Sequence, residues 1–290
     1  MNRAIREWGP IVGPGVIWGS SYLFIAEGLT AIRPAGITFV RTLIGFGVLS
    51  LIPACRQPIT RSDRGRVVVL GIIWMAFPMS MFPFAEQHVS SAVTGLLNAA
   101  TPLWVAVVAA GQQRAWPSRA VVVALAVGSF GATLIAVPTA SEGRSSAWAV
   151  ALIMLALCSY GFAINLSAPL QQRNGSGPVI WRAVGIAAMM TAPTGVPALI
   201  DATWNSRAVL SMLVLGGLGT GVANILVADA AGRSNPTRAS AMGFIIPVVA
   251  LALGVFVRGE HVETIALIGA AVCVFGAWLL ATARSQSTSR

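Results

Sequence analysis

Residues 121–137 read VVVALAVGSFGATLIAV, a stretch apolar on nearly every face of a helix, and similar runs recur along the chain with only short polar punctuation between them. This recurrence constrains the fold more than any motif does, because a helix needs about 20 apolar residues to cross the hydrocarbon core of a bilayer. Ten such runs are present, at about 8–26, 34–53, 65–84, 91–110, 119–138, 147–166, 178–199, 208–228, 238–257 and 263–283. Spanning β-strands would alternate apolar and polar residues over about ten positions each, a period these runs lack. Hydrophobic residues make up 56% of the 290, charged residues 10%, and the mean hydropathy is +0.78, which leaves too little polar surface for a water-soluble domain. The expected fold class is all-α integral membrane, with ten transmembrane helices.

The opening MNRAIREWGPIVGPGVIWG couples a basic start to an apolar run, as a secretory signal does. No small-residue cleavage site stands out and nine further runs follow, so this segment is expected to remain as the first helix. The longest connection, about 54–64, is too short for a soluble catalytic module. The end of the tail, 285–290, is polar and expected to be disordered. Cys55, Cys158 and Cys273 are scattered without metal-ligand spacing and read as apolar filler, so neither a metal nor a cofactor is expected.

All nineteen basic residues are Arg, and the formal charge is +10. Such a charge can signal nucleic acid, but here the arginines sit in short connections and alternate by side. Arg3, Arg6, Arg56, Arg61, Arg64, Arg66, Arg114, Arg119, Arg173, Arg233, Arg238, Arg284 and Arg290 fall on one side, and Arg33, Arg144, Arg207 and Arg258 on the other. The positive-inside rule makes the first side cytoplasmic and places both termini there. Membrane lipids with anionic headgroups, not nucleic acid, are the expected partners of these arginines.

The heptapeptide FGATLIA at 130–136 returns as FGAWLLA at 275–281. An offset of 145 pairs Gly71 with Gly216 and Pro102 with Pro247 without a gap, and an offset of 141 pairs Trp18 with Ser159 and Arg41 with Arg182. This register points to duplication. Two halves of five helices each, 1–140 and 141–284, must lie in the membrane with opposite orientations, since five is odd. Inverted repeats of this kind commonly hold a substrate site near the midplane of their interface.

The stretch VIWGSSYLFIAEGL…AGITFVRTLIGFGVL, with Trp18-Gly19 and Arg41, resembles the first two helices of EamA-type members of the drug/metabolite transporter superfamily. AEQHVSSAVTGLLNAATPLWVAVVA resembles the family's fourth-helix region, and ASAMGFIIPVVALALG, Gly259-Glu260 and LIGAAVCVFGAWLLA resemble its ninth and tenth helices. Two features depart from the family pattern: Ser159 replaces a Trp often found early in the sixth helix, and Gly-Glu has no clean counterpart before the fifth. The resemblance implies a central cavity lined by helices 1, 3, 4, 6, 8 and 9, with helices 5 and 10 as scaffold. It also implies a bacterial cytoplasmic-membrane location.

Within the spans, polar groups must face the interior, because lipid offers them no hydrogen bonds. Candidate cavity residues are Ser21, Tyr22, Thr94, Asn98, Tyr160, Asn165, Asn224 and Ser240, with Trp18, Phe77, Met81 and Phe244 as walls. Each could instead serve as interhelical glue or packing. Arg41 and Arg182 lie inside spans, where an unpaired charge is costly, so they mark either a functional site or a structural pairing at matched places in the two halves. Glu86 and Asp229, at span ends, could gate a cavity mouth or simply be solvated. No Asp, Glu or His falls near the middle of a span, which favours either facilitated movement or coupling through Glu86. Pro102 and Pro247 are the matched candidate hinges.

The inverted halves suggest a secondary, non-ATP carrier working by alternating access. The resemblance implies export of small metabolites with amino acids as the favoured cargo, and a zwitterion or neutral solute suits a cavity that lacks fixed midplane charge. An intramembrane enzyme is disfavoured: the chain has no Lys for a P-loop or Schiff base, and neither HExxH nor GxSxG occurs. A non-transporting receptor or assembly protein remains the alternative.

Overall fold

The computed structural model describes residues 3–113, 117–227 and 242–287. Among them the chain is helical and contains no strand. The helical segments are α1 (Arg3–Gly28), α2 (Pro34–Ser50), α3 (Arg61–Ala85), α4 (Ser91–Gln112), α5 (Arg119–Ser141), α6 (Arg144–Asn174), α7 (Ser176–Gly195), α8 (Ser206–Val227), α9 (Met242–Arg258) and α10 (Thr264–Ser287). Each covers one of the apolar runs. Among the described residues α3, α4, α5, α6, α8 and α10 contain stretches long and apolar enough to cross a membrane, while α2 and residues 245–258 are apolar but shorter. The outer surface is itself apolar, with Phe130, Trp148, Met189 and Phe256 exposed, as a lipid-facing surface is. Helix α10 continues to Ser287, three residues into the stretch expected to be disordered.

Local chemistry sets the helix ends. Ser90, Ser118 and Asn205 cap the starts of α4, α5 and α8 by accepting from the backbone three residues on, and Pro34 opens α2. Gly175, at a φ of 79° that other residues avoid, turns the chain between α6 and α7.

Two stretches wind more loosely, in π geometry: Gly71–Ala76 in α3 and Val214–Val222 in α8. They coincide at the offset of 145. Their frayed carbonyls are met from neighbouring helices, since Trp18 Nε1 in α1 donates to Gly219 O at 2.9 Å and Ser159 Oγ in α6 donates to Ile73 O at 2.6 Å. Ser159 thus does for the second half what Trp18 does for the first, although it departs from the family's usual Trp.

The helix contacts also come in matching pairs. Helix α5 lies along α10, α2 along α7, and α4 along α9; α1 meets α9 as α6 meets α4, and α2 meets α8 as α7 meets α3. At the α5–α10 crossing a methyl on Gly131 would fall on the backbone of Gly269 and Cys273, and one on Gly276 would fall on the backbone of Gly128 and Ala124. These are the same contacts read in the other direction at an offset of 145.

For α2 and α7 the register differs by one from the expected 141. Gly216 faces the Arg41 carbonyl and Ile44, while its counterpart Gly71 faces the Ala183 carbonyl and Ile186, an offset of 142. Arg41 therefore corresponds to Ala183 and not to Arg182. A step of one residue turns a helix by about 100°, and the two arginines accordingly face different surroundings.

Candidate functional site

The residues with chemistry to offer converge where α1, α2, α3, α6 and α8 meet. Tyr22 of α1 is buried and meets Phe82 of α3 edge-to-face, with ring centroids 5.7 Å apart, and Phe82 stacks at 6.0 Å on Tyr160 of α6. Met81 packs against the same core. Arg41 of α2 is buried within electrostatic reach of both tyrosines and of Glu86, which directly follows α3. Glu86 is in turn within reach of Arg258 and Glu260.

The polar groups of this cluster are under-used. Arg41 Nε donates to Thr220 Oγ1 at 3.3 Å, and Thr220 passes its own hydroxyl hydrogen to Leu215 O within the π stretch of α8. No carboxylate pairs with Arg41 among the described residues, so most of the five N–H donors of its guanidinium stay available. Among the described residues both carboxyl oxygens of Glu86 are shut off from solvent and have no hydrogen-bond partner. A carboxyl group so placed is costly to keep charged and calls for a proton or a cation. The cluster thus offers a cationic end that can take a carboxylate, an acidic end that can take an ammonium group or a proton, and aromatic faces between.

The other predicted residues are placed differently. Trp18 and Ser21 border the α8 π stretch, Trp18 by its bond to Gly219 and Ser21 by standing where a methyl added to that glycine would meet its hydroxyl, which is donated to Ile17 O. Thr94 is fully buried and bonds to Ser90 O in its own helix. Asn165 bridges α6 to α4 through Val105 O, and Asn224 donates to Thr220 O one turn back. Asn98 accepts from Thr101 Oγ1, whose hydroxyl also satisfies the Asn98 carbonyl that Pro102 leaves without an N–H. A 3-10 turn at Asn98–Ala100 interrupts α4 at this point, whereas Pro247 sits inside the helix of α9. Phe77, half-buried, begins the α-helical part of α3 after its π stretch. Arg182 points away from the cluster: its Nη1 donates to Pro178 O and its guanidinium lies 5.1 Å from the Trp181 ring centre. Ser240 and Asp229 lie outside the described residues, as does the side chain of Phe244.

Sequence reasoning missed three contributors. Phe82 links the two tyrosines, and only its place one residue after Met81 hinted at this. Thr38 in α2 donates at 3.2 Å to Met79 O, the carbonyl that Pro83 leaves unpaired in α3. Glu260 accepts from Ser91 N, Ser91 Oγ and Ala92 N at 3.2, 2.8 and 2.8 Å, which caps α4, and it also accepts from Arg258, itself bonded to Glu27. Gly259-Glu260 stood out in the sequence, but its partner lies 169 residues away. Cys55, in the connection between α2 and α3, is buried; burial pushes its thiol up, in keeping with an apolar filler.

A bundle of apolar helices with an apolar exterior and interior charge defines a multi-pass membrane protein. The profile of the EamA-like transporter family matches residues 10–137 and 147–282, and the chain belongs to that family. It is therefore a membrane transporter. It is also similar to a "Probable terminal-alkyne amino-acid exporter" of Streptantibioticus cattleyicolor (strain ATCC 35852 / DSM 46488 / JCM 4925 / NBRC 14057 / NRRL 8057), with 26% identity over 274 residues, which are 91% of this chain and 90% of the relative. A solved structure titled "Crystal structure of protein" shares the fold, with a TM-score of 0.66 and 18% identity over 95% of this chain and 97% of the other.

Proposed function

We propose that the protein exports amino acids or closely related zwitterions across a bacterial cytoplasmic membrane, with both termini cytoplasmic and two inverted five-helix halves exposing the Tyr22–Phe82–Tyr160 cluster to each face in turn. The observation that carries this reading is the pair of unneutralised groups in the cluster. Among the described residues Arg41 has no carboxylate hydrogen-bonded to it and Glu86 has no hydrogen-bond partner, although the two lie within electrostatic reach of each other. An α-amino acid presents one group for each, and its side chain can rest on the aromatic rings. The name of the Streptantibioticus relative supports both direction and cargo. The exchange symmetry of the helix packing and of the two π stretches supports the inverted halves. When the substrate leaves, Glu86 takes a proton in place of the ammonium group, which couples outward transport to proton entry.

The deciding experiment uses purified protein in liposomes and a panel of labelled amino acids, amines and carboxylates. Counterflow of amino acids is expected, with amines or carboxylates alone transported poorly. Flux equal to that of empty vesicles across the panel refutes the carrier reading, and equal flux of all three classes refutes the zwitterion site.

A further inference from the structure

Between α2, α3 and α7 lies a cavity of about 610 Å³ that is separate from the central cluster and opens on the flank of the bundle. Its walls are apolar, and Leu43, Val68 and Met189 on them are exposed by 48%, 44% and 77%. At the end of the bundle where the α2–α3 connection and the start of α7 come together, two arginines stand in this lining, Arg64 and Arg182. They are close enough to repel each other. Neither has a carboxylate partner among the described residues. Asp63, which immediately precedes Arg64, is occupied by Arg173, Arg66 and Asn174.

The surroundings hold the Arg182 head in place. Trp181 is fixed by a 2.7 Å hydrogen bond to Ser50 Oγ and by stacking on Phe46 at 5.4 Å, and Arg182 is tied to Pro178 O near the start of its helix. Two neighbouring like charges with spare N–H donors, beside an apolar channel along the membrane-facing surface, make a site for an anion that carries a hydrocarbon chain. A soluble anion would satisfy the arginines and leave the exposed walls uncovered. A neutral lipid would cover the walls and leave the charges unbalanced.

We infer that the groove between α2, α3 and α7 binds one anionic glycerophospholipid, its phosphate held between Arg64 and Arg182 and an acyl chain lying against Leu43, Val68 and Met189. The positive-inside reading puts this headgroup in the cytoplasmic leaflet. This site shares no residue with the Arg41–Glu86 cluster, so its failure and the failure of the transport proposal are distinguishable.

The test combines native mass spectrometry with thermal melting of the full chain in neutral detergent, to which phosphatidylglycerol, phosphatidylcholine or glycerol 3-phosphate is added. Phosphatidylglycerol is expected to remain bound at one copy per chain and to raise the melting temperature as its concentration rises. Phosphatidylcholine and glycerol 3-phosphate are expected to do neither. The double substitution Arg64→Gln with Arg182→Gln should abolish the adduct, whereas Arg56→Gln, a control on the same side, should keep it. Equal retention of the two lipids, an unchanged adduct in the double variant, or full stabilisation by glycerol 3-phosphate each overturns the assignment. Should the double variant not fold, Arg64→Gln alone, at an exposed position, must still weaken retention.

Discussion

Glu86 and Glu260 both stand near the same end of the bundle, yet they have opposite assignments. Glu260 spends its oxygens on the start of α4 and on Arg258, so its work is structural. Glu260→Ala should cost on the order of 2 kcal/mol, as charge-assisted hydrogen bonds of this kind do, and lower the melting temperature in detergent. Glu86 has no such bonds among the described residues. Glu86→Gln should leave melting close to that of the parent while removing the pH dependence of flux in liposomes; an unchanged pH profile excludes Glu86 as the coupling group. These assignments were only half legible in the sequence. The rarity of acidic residues in the spans drew attention to Glu86, but its lack of partners depends on where five helices converge. Arg41 and Arg182 looked equivalent because an ungapped register pairs them, and one residue of slippage in α7 sends one inward and the other to the flank.

At the scale of elements, glycine and proline positions carry the packing. Gly131 and Gly276 bring two backbones into contact, so Gly131→Val should break the α5–α10 crossing, with a cost of about 1–3 kcal/mol or more and a corresponding fall in melting temperature. Gly47→Ala, where a methyl meets nothing within 4 Å, should be neutral or slightly stabilising in the same assay. Thr38→Val should lose roughly 1 kcal/mol, since the Met79 carbonyl freed by Pro83 is then left without its donor from α2. The all-helical membrane class was readable because each span must carry enough apolar residues to cross the lipid core. The π stretches were not readable, because π geometry arises from packing against neighbouring helices and leaves no fixed residue pattern. The matched glycines Gly71 and Gly216 marked their places without revealing the winding.

At the scale of the molecule, the duplication visible in FGATLIA and FGAWLLA has its counterpart in which helix touches which. If the halves are inverted, both ends of the chain must face the cytoplasm. Reporter fusions active only on that side should give signal from the N- and C-termini alike, and opposite results for the two ends would rule out ten crossings. The backbone contact between α5 and α10 bears on how such a carrier could move. Two main chains pressed together at Gly131 and Gly276 leave no room for a side chain between them, so under the proposed mechanism this pair would serve as a fixed post. If the halves rock as proposed, that motion falls to the helices other than α5 and α10, and a chemical clamp joining α5 to α10 would leave turnover intact.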